Sequence, residues 1–174
     1  LHGRPLRTAI PGPVLVAAAA TSLAGAVALG LAGVGRVGPG LLVFVAVGAA
    51  LTCGYNLELL GGRLHNDTTF AAAWGAFPVL TAYYAQAETL GVPAVFAAVA
   101  AYSLSNAQRC LSTPARDLRR RVASVEGTVI GRDGSRSEVT IPVLLAPLEA
   151  ALKATTWGVV SLAAALVLYR SSAG

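Results

Sequence analysis

Five long runs of apolar residues, separated by short polar stretches, dominate the hydrophobic pattern of the chain. Each run is about 18–24 residues long, which is enough for a helix to cross a hydrocarbon layer of about 30 Å. The pattern predicts membrane spans at about residues 14–32, 41–59, 68–86, 93–111 and 148–169. We therefore expect an all-α fold, a multi-pass transmembrane helical bundle that forms a single membrane domain over residues 1–174.

The longest polar stretch, residues 112–142, precedes the last predicted span. Its first part, STPARDLRRRV, is strongly basic and predicts a short surface helix. Its second part, VEGTVIGRDGSRSEVT, predicts a small β-hairpin, because Asp133 and Gly134 form a turn signal between two alternating runs. At the beginning of the last span, Glu149 and Lys153 have the i,i+4 spacing of a helical ion pair.

The composition favours a membrane protein over a soluble one. Hydrophobic residues make up 55% of the chain and charged residues 12%, about half the charged fraction of a typical soluble domain. A soluble helical domain with an Ala-rich core is the alternative, but several runs are longer than a buried helix needs.

The chain contains no Met, so we expect the native protein to begin before residue 1. Its Arg, Ala, Gly and Val bias indicates a bacterial gene.

The distribution of arginines predicts the orientation. They concentrate in the first ten residues, in the loop at 56–67 and in the loop at 112–142. If all five spans cross, these three segments lie on one side, and the positive-inside rule makes that side the cytoplasm. We expect a bacterial inner-membrane protein with the N-terminus and both loops cytoplasmic.

The loop between the second and third spans concentrates polar side chains. They are Tyr55, Asn56, Glu58, Arg63, His65, Asn66 and Asp67. Asp67, followed by two threonines and an apolar run, predicts a helix N-cap. The alternative is that Asp67 is a metal ligand.

A second polar group lies at the end of the fourth span. Tyr102, Ser105, Asn106 and Arg109 share one helix face, and polar groups at that depth face a bundle interior or a watery cavity. A surplus of arginines suits a phosphate or diphosphate, which guanidinium groups bind in a bidentate way. The alternatives are structural hydrogen bonds for Asn106 and Arg109, and an anionic-lipid or topology signal for residues 119–121.

Four stretches resemble a known membrane family, in the order and topology of that family. They are HGRPLRTAIPGP, GYNLELLGGRLHND, DTTFAAAWGAFPVLTAYY and LSNAQRCLSTPARDLRRRV. The second stretch has a Tyr followed by a basic residue, and in the third a carboxylate opens a helix with a Gly midway. With these features, residues 1–122 resemble the UbiA superfamily of intramembrane prenyltransferases.

The resemblance implies a function. The family transfers a prenyl chain from a prenyl diphosphate to an aromatic or other acceptor, using Mg²⁺ held by two Asp-rich cytoplasmic motifs. It implies substrate binding by Tyr55, Asn56, Arg63, Arg109 and Arg116. It implies catalytic roles for Asp67, Asn106 and Asp117, with Asn106 and Asp117 as candidate Mg²⁺ ligands. The expected partners are a prenyl diphosphate or other lipid phosphate and membrane lipid, and no nucleic acid.

The sequence also departs from the family pattern. Counting from Asn106, the two Asp positions of the second motif are Cys110 and Pro114, and Asp117 is off register. The first Asp-rich motif would precede residue 1, so prenyl transfer depends on that motif in the full protein. Two alternatives therefore stay open: a non-catalytic lipid- or partner-binding membrane protein derived from the family, and a transporter subunit.

Overall fold

The structure, a computed structural model, describes residues 10–172. About 76% of these residues are helical. The elements are α1 (Gly12–Val37), α2 (Leu41–Asn56), α3 (Asp67–Phe70), a π-helical segment (Ala71–Ala76), α4 (Phe77–Ala87), α5 (Val92–Arg120), β1 (Thr128–Ile130), β2 (Arg136–Glu138) and α6 (Ile141–Ser172). The chain divides into two compact units, residues up to Val99 and residues from Ala100. The basic segment at residues 1–9 lies outside the described residues, so its predicted cytoplasmic position concerns a part of the chain that is not described.

The predicted helical fold and hairpin are confirmed. Each of the five apolar runs corresponds to a helical segment, although α2 ends at Asn56, three residues before the predicted end of the second run. The third run lies in the continuous series α3, π segment and α4. Two helices, α1 and α6, are long and apolar enough to cross a membrane, and α2 is apolar but shorter. The crossing of a membrane by all five segments stays a prediction.

Two predicted boundaries were wrong, both near a proline. The helix predicted as a separate surface element after residue 111 is the last part of α5, which continues through Pro114. The last helix begins at Ile141 rather than after Pro147. A proline removes one backbone hydrogen bond and disturbs the preceding turn, but the flanking turns hold both helices together here.

In the first unit, α1 and α2 pack against each other as an antiparallel pair. They are joined at Gly38, whose φ of 105° is accessible mainly to glycine. A Cβ at Gly30 would lie 2.5 Å from the Val45 side chain, and one at Gly33 would lie 3.0 Å from Leu41. Glycine at these positions therefore permits the close approach of the two helices.

The start of α3 differs by one residue from the prediction. Asn66, not Asp67, is the N-cap, and its side-chain oxygen accepts a hydrogen bond of 2.8 Å from the Thr69 amide. Asn66 has the extended backbone of a cap residue, with φ −138° and ψ 167°. Asp67 is the first helical residue, where its negative charge interacts favourably with the positive end of the helix dipole.

In the second unit, β1 and β2 form an antiparallel hairpin in which Val129 pairs with Ser137. The turn includes Asp133 and Gly134, as predicted, and Gly134 has φ 84°. The Gly131 amide donates to the Ser135 carbonyl at 2.8 Å and closes the turn.

Candidate functional site

Three rings surround Tyr55, a predicted substrate-binding residue, in the first unit. We call Tyr55, His65, Phe70 and Trp74 the Tyr55 cluster. The Tyr55 ring centroid is 4.5 Å from that of His65, 4.7 Å from that of Trp74 and 6.0 Å from that of Phe70. Tyr55 is 8% exposed, the most buried aromatic side chain of the described chain. The cluster fixes the polar loop onto the end of α2.

Local structure brings these rings together. The loop after α2 reverses the chain through left-handed residues at Glu58, Leu60, Gly61 and Gly62. The π segment then widens the helix, because each of its backbone hydrogen bonds spans one residue more than in an α-helix. It buries Ala71, Ala73 and Gly75 and leaves Trp74 stacked on Phe70 at 5.5 Å.

His65 holds the loop by a polar contact as well as by stacking. Its Nδ1 atom lies 3.3 Å from the Tyr55 carbonyl oxygen. Because a carbonyl only accepts, we assign the proton to Nδ1. Sequence reasoning missed this role, since the stacking depends on how the loop folds back.

The other predicted residues of the first unit lie on the surface. Asn56 is exposed, and its amide donates to the Thr52 carbonyl at 2.8 Å within α2. Arg63 is exposed, and its carbonyl accepts from the Asn66 side chain at 2.7 Å. Asp67 is exposed at the start of α3. The structure thus packs Tyr55 inside an aromatic cluster and leaves Asn56, Arg63 and Asp67 accessible.

The predicted polar face of α5 is its half-buried face in the second unit. Tyr102, Ser105, Asn106 and Arg109 are all half-buried. Ser103, Ala107 and Cys110, which lie outside this face, are exposed. The spacing argument therefore identified the correct face.

The hydroxyl of Thr113 was not singled out from the sequence. Its Oγ1 atom is buried and has no hydrogen-bond partner in the described part of the chain. Thr113 lies one turn after Arg109 on the same face of α5, next to Pro114, which has no N–H to donate. A helical threonine commonly bonds to the carbonyl one turn back, so the sequence carried no signal for this exception.

The predicted Mg²⁺ ligands do not fit a shared ion. Asn106 and Asp117 are eleven residues apart on α5, a rise of about 16 Å along the helix. Asp117 is also paired with Arg121, with 3.5 Å between Oδ1 and Nε. Within residues 10–172, no group of three or more His, Cys, Asp and Glu side chains could hold a metal ion.

An ion pair that sequence reasoning missed connects two helices of the second unit. Glu149 of α6 is hydrogen-bonded to Arg119 of α5. The predicted pairing of Glu149 with Lys153 was wrong. The i,i+4 spacing can indicate only partners on the same helix, whereas Arg119 belongs to a different helix from Glu149.

An apolar groove of about 310 Å³ lies between α1, α2 and α4 in the first unit. Its lining includes Ala26, Val27, Phe44, Val45, Ala49 and Phe77. Two threonines also line it, but Thr52 donates to the Gly48 carbonyl at 2.8 Å and Thr81 to the Phe77 carbonyl at 2.9 Å. With both hydroxyl protons engaged, the groove offers an almost purely hydrocarbon surface.

Comparisons with protein-family models, curated proteins and solved structures found no match for this chain. The fold and the candidate site therefore define a class only: a mostly helical protein with two apolar helices of membrane-crossing length and a small β-hairpin.

Proposed function

We propose that the chain is a multi-pass protein of a bacterial inner membrane that binds a prenyl diphosphate or a similar lipid phosphate. In this proposal the N-terminus and the loops at 56–67 and 112–142 are cytoplasmic, as the arginine distribution indicates. The observation that carries the membrane part is the outward orientation of the apolar side chains. Helices α1 and α6 bury no residue at all, and Leu29, for example, is 77% exposed.

The small buried core supports a bilayer rather than water as the solvent. Among the described residues, the buried apolar side chains are Leu41, Tyr55 and five alanines. Fixing a backbone costs about 1–2 kcal/mol per residue, which so little burial cannot offset in water. In hydrocarbon the exposed side chains meet the solvent that they prefer, and the helical backbone satisfies its own hydrogen bonds.

The phosphate part of the proposal is supported by the arginines. Arg109 lies on the half-buried polar face of α5, three residues after Asn106. Half-buried guanidinium groups bind phosphate oxygens more strongly than fully solvated ones, because screening is weaker. Arg116 and Arg63 are exposed and would add charge at the membrane surface. Separately, the groove between α1, α2 and α4 is suited to a hydrocarbon chain.

Prenyl transfer to an aromatic or other acceptor is the reaction that the family resemblance implies. A second candidate is a relative that binds a lipid diphosphate without transferring it. It is favoured by Cys110 and Pro114, which stand where the family has two Mg²⁺-binding aspartates.

The test is binding of farnesyl diphosphate to the detergent-solubilised full chain, with and without Mg²⁺. We expect Arg109→Ala to weaken binding about 10- to 100-fold, the contribution of one or two charged hydrogen bonds. Arg136→Ala, in the exposed hairpin, is the matched control and should change binding less than about twofold. Equal losses in the two variants would contradict the assignment of Arg109. Binding that is indifferent to Mg²⁺ would favour the non-catalytic candidate.

A further inference from the structure

The end of α5 and the residue that follows it carry four arginines within six residues, Arg116, Arg119, Arg120 and Arg121. The structure divides them into two kinds. Arg119 pairs with Glu149, and Arg121 pairs with Asp117. Arg116 and Arg120 are exposed and have no ion pair or hydrogen bond within residues 10–172. Two of the four arginines are thus paired with carboxylates of the chain at its surface, and two are available to a ligand.

The two available arginines are neighbours on the helix surface. Arg116 and Arg120 have i,i+4 spacing, which places their Cβ atoms about 5–6 Å apart. Two like charges at this spacing repel each other. The helix dipole favours a cation in the last turn and so accounts for Arg120, but Arg116 lies a full turn earlier. An anion that contacts both guanidinium groups would relieve the repulsion.

The Arg119–Glu149 ion pair shows which part of α6 lies beside Arg116 and Arg120. Glu149 belongs to the first third of α6, a helix long and apolar enough to cross a membrane. After Lys153, residues 154–169 of α6 carry no charge. The Arg119–Glu149 pair therefore lies shortly before the longest uncharged stretch of α6, and Arg116 and Arg120 are within about one helical turn, 5.4 Å, of Arg119.

We propose that Arg116 and Arg120 bind the phosphate headgroup of an anionic phospholipid at the cytoplasmic membrane surface. A headgroup is the anion present at that level, and basic side chains next to a membrane-crossing helix are attracted to it. Arg119 and Arg121 already have carboxylate partners in the chain. The inference rests on the membrane placement in the proposed function. It shares Arg116 with the proposed diphosphate-binding residues but does not use Arg109, so the Arg109→Ala test of diphosphate binding remains separate from the test below.

The experiment measures binding of dioctanoyl phosphatidylglycerol to the detergent-solubilised full chain by calorimetry at low salt. The test variant is Arg116→Gln/Arg120→Gln, and the control with the same net charge is Arg132→Gln/Arg136→Gln in the hairpin. We expect the test variant to lose about 20- to 30-fold in affinity, about fivefold for each arginine near the surface. The control should lose less than about threefold, because its arginines do not share one helix face. Equal losses would overturn the proposal.

Three further measurements test the identity of the ligand and the membrane placement. Dioctanoyl phosphatidylcholine should bind the unchanged protein weakly, and equal binding of both lipids would overturn the proposal. Inorganic pyrophosphate should not displace the lipid at equal concentration. If it does, the ligand of this surface is a free anion and not a lipid headgroup, which overturns the proposal. Carbonate extraction of membranes from expressing cells tests the premise: release of the chain would overturn the membrane placement itself. Retention of the chain without lipid preference would overturn this inference alone.

Discussion

Residues 10–99 and residues 100–172 are held together by different forces. The first unit packs rings and small residues: the Tyr55 cluster, Phe44 stacked on Tyr84 at 4.9 Å, and glycines that admit close neighbours. The second unit buries one apolar side chain, Ala115, and is joined by the Arg119–Glu149 pair and the hairpin hydrogen bonds. The comparison shows that one short chain can combine shape-dependent and charge-dependent stabilisation.

The two kinds of force respond to different conditions. Apolar packing changes little with moderate salt or pH, whereas exposed charge pairs are screened by salt and depend on protonation. Changes of side-chain volume should therefore destabilise the first unit, and changes of charge, salt or pH the second.

The largest effect is expected from Tyr55→Ala. Removal of a buried ring with three aromatic neighbours should lower the free energy of unfolding by about 3 kcal/mol. Unfolding in detergent can be followed by Trp74 fluorescence in a Trp157→Phe background. Tyr169→Ala is the matched control, because Tyr169 is 73% exposed, and it should change stability by less than about 0.5 kcal/mol. If the two variants unfold alike, the Tyr55 cluster is not the packing centre of the first unit.

A methyl group at position 40 should have the next largest effect. A Cβ there would collide with the Tyr84 hydroxyl, and Tyr84 is held by its stacking on Phe44. Gly40→Ala should therefore destabilise by about 1–2 kcal/mol, as overpacking does. The measurement is thermal unfolding by circular dichroism.

Two variants check the cause of that effect. Gly35→Ala adds the same methyl group where no atom lies within 4 Å, so it should be neutral or stabilising. Tyr84→Phe should restore part of the stability lost in Gly40→Ala, because it removes the hydroxyl that collides. An undiminished loss in the double variant would show that the hydroxyl is not the cause and would leave the Tyr84 ring, whose Cζ lies 2.7 Å from that Cβ, or the backbone of Gly40.

A smaller effect is expected at the ion pair of the second unit. Arg119→Gln should cost about 0.2–1 kcal/mol at low salt, since the Arg119 side chain is 59% exposed. In 1 M NaCl, where the screening length is about 3 Å, the cost should nearly vanish. A double-mutant cycle with Glu149→Gln measures the coupling, and Arg120→Gln in the lipid-free protein is the control. Coupling that does not decline with salt would argue against a screened surface pair.

The smallest effect is expected from pH at the hairpin turn. The pKa of Asp133 is lowered by hydrogen bonds from the Ser135 hydroxyl and amide. A lowered folded-state pKa stabilises the turn above the ordinary aspartate pKa of about 3.9, and this stabilisation is lost as the pH falls through the folded-state pKa. Amide hydrogen exchange of the hairpin should therefore show increased opening on acidification.

Asp133→Asn is the control for this acid dependence. The amide cannot be protonated in this range, so the variant should lose the additional opening below pH about 4. An unchanged acid response in Asp133→Asn would show that another group causes it.

The sequence by itself determined the features that depend on neighbouring residues. Apolar runs predicted the helical segments, Asp133-Gly134 predicted the hairpin turn, and the spacing from Tyr102 to Arg109 predicted the half-buried face of α5. Each follows from local backbone preference or from the helical period, which extends over a few residues only. The same arguments placed the N-cap of α3 at Asp67, one residue after the observed cap Asn66, because both residue types are good helix caps.

The tertiary structure alone decided the contacts between distant residues. It paired Glu149 with Arg119 instead of with Lys153, and it brought His65 and Trp74 onto Tyr55 through the reversed loop and the π segment. It also separated paired from available arginines at the end of α5, where the sequence shows only a basic cluster. Such partners depend on how elements pack in space, and a pattern along one chain segment carries no information about the segment that packs against it.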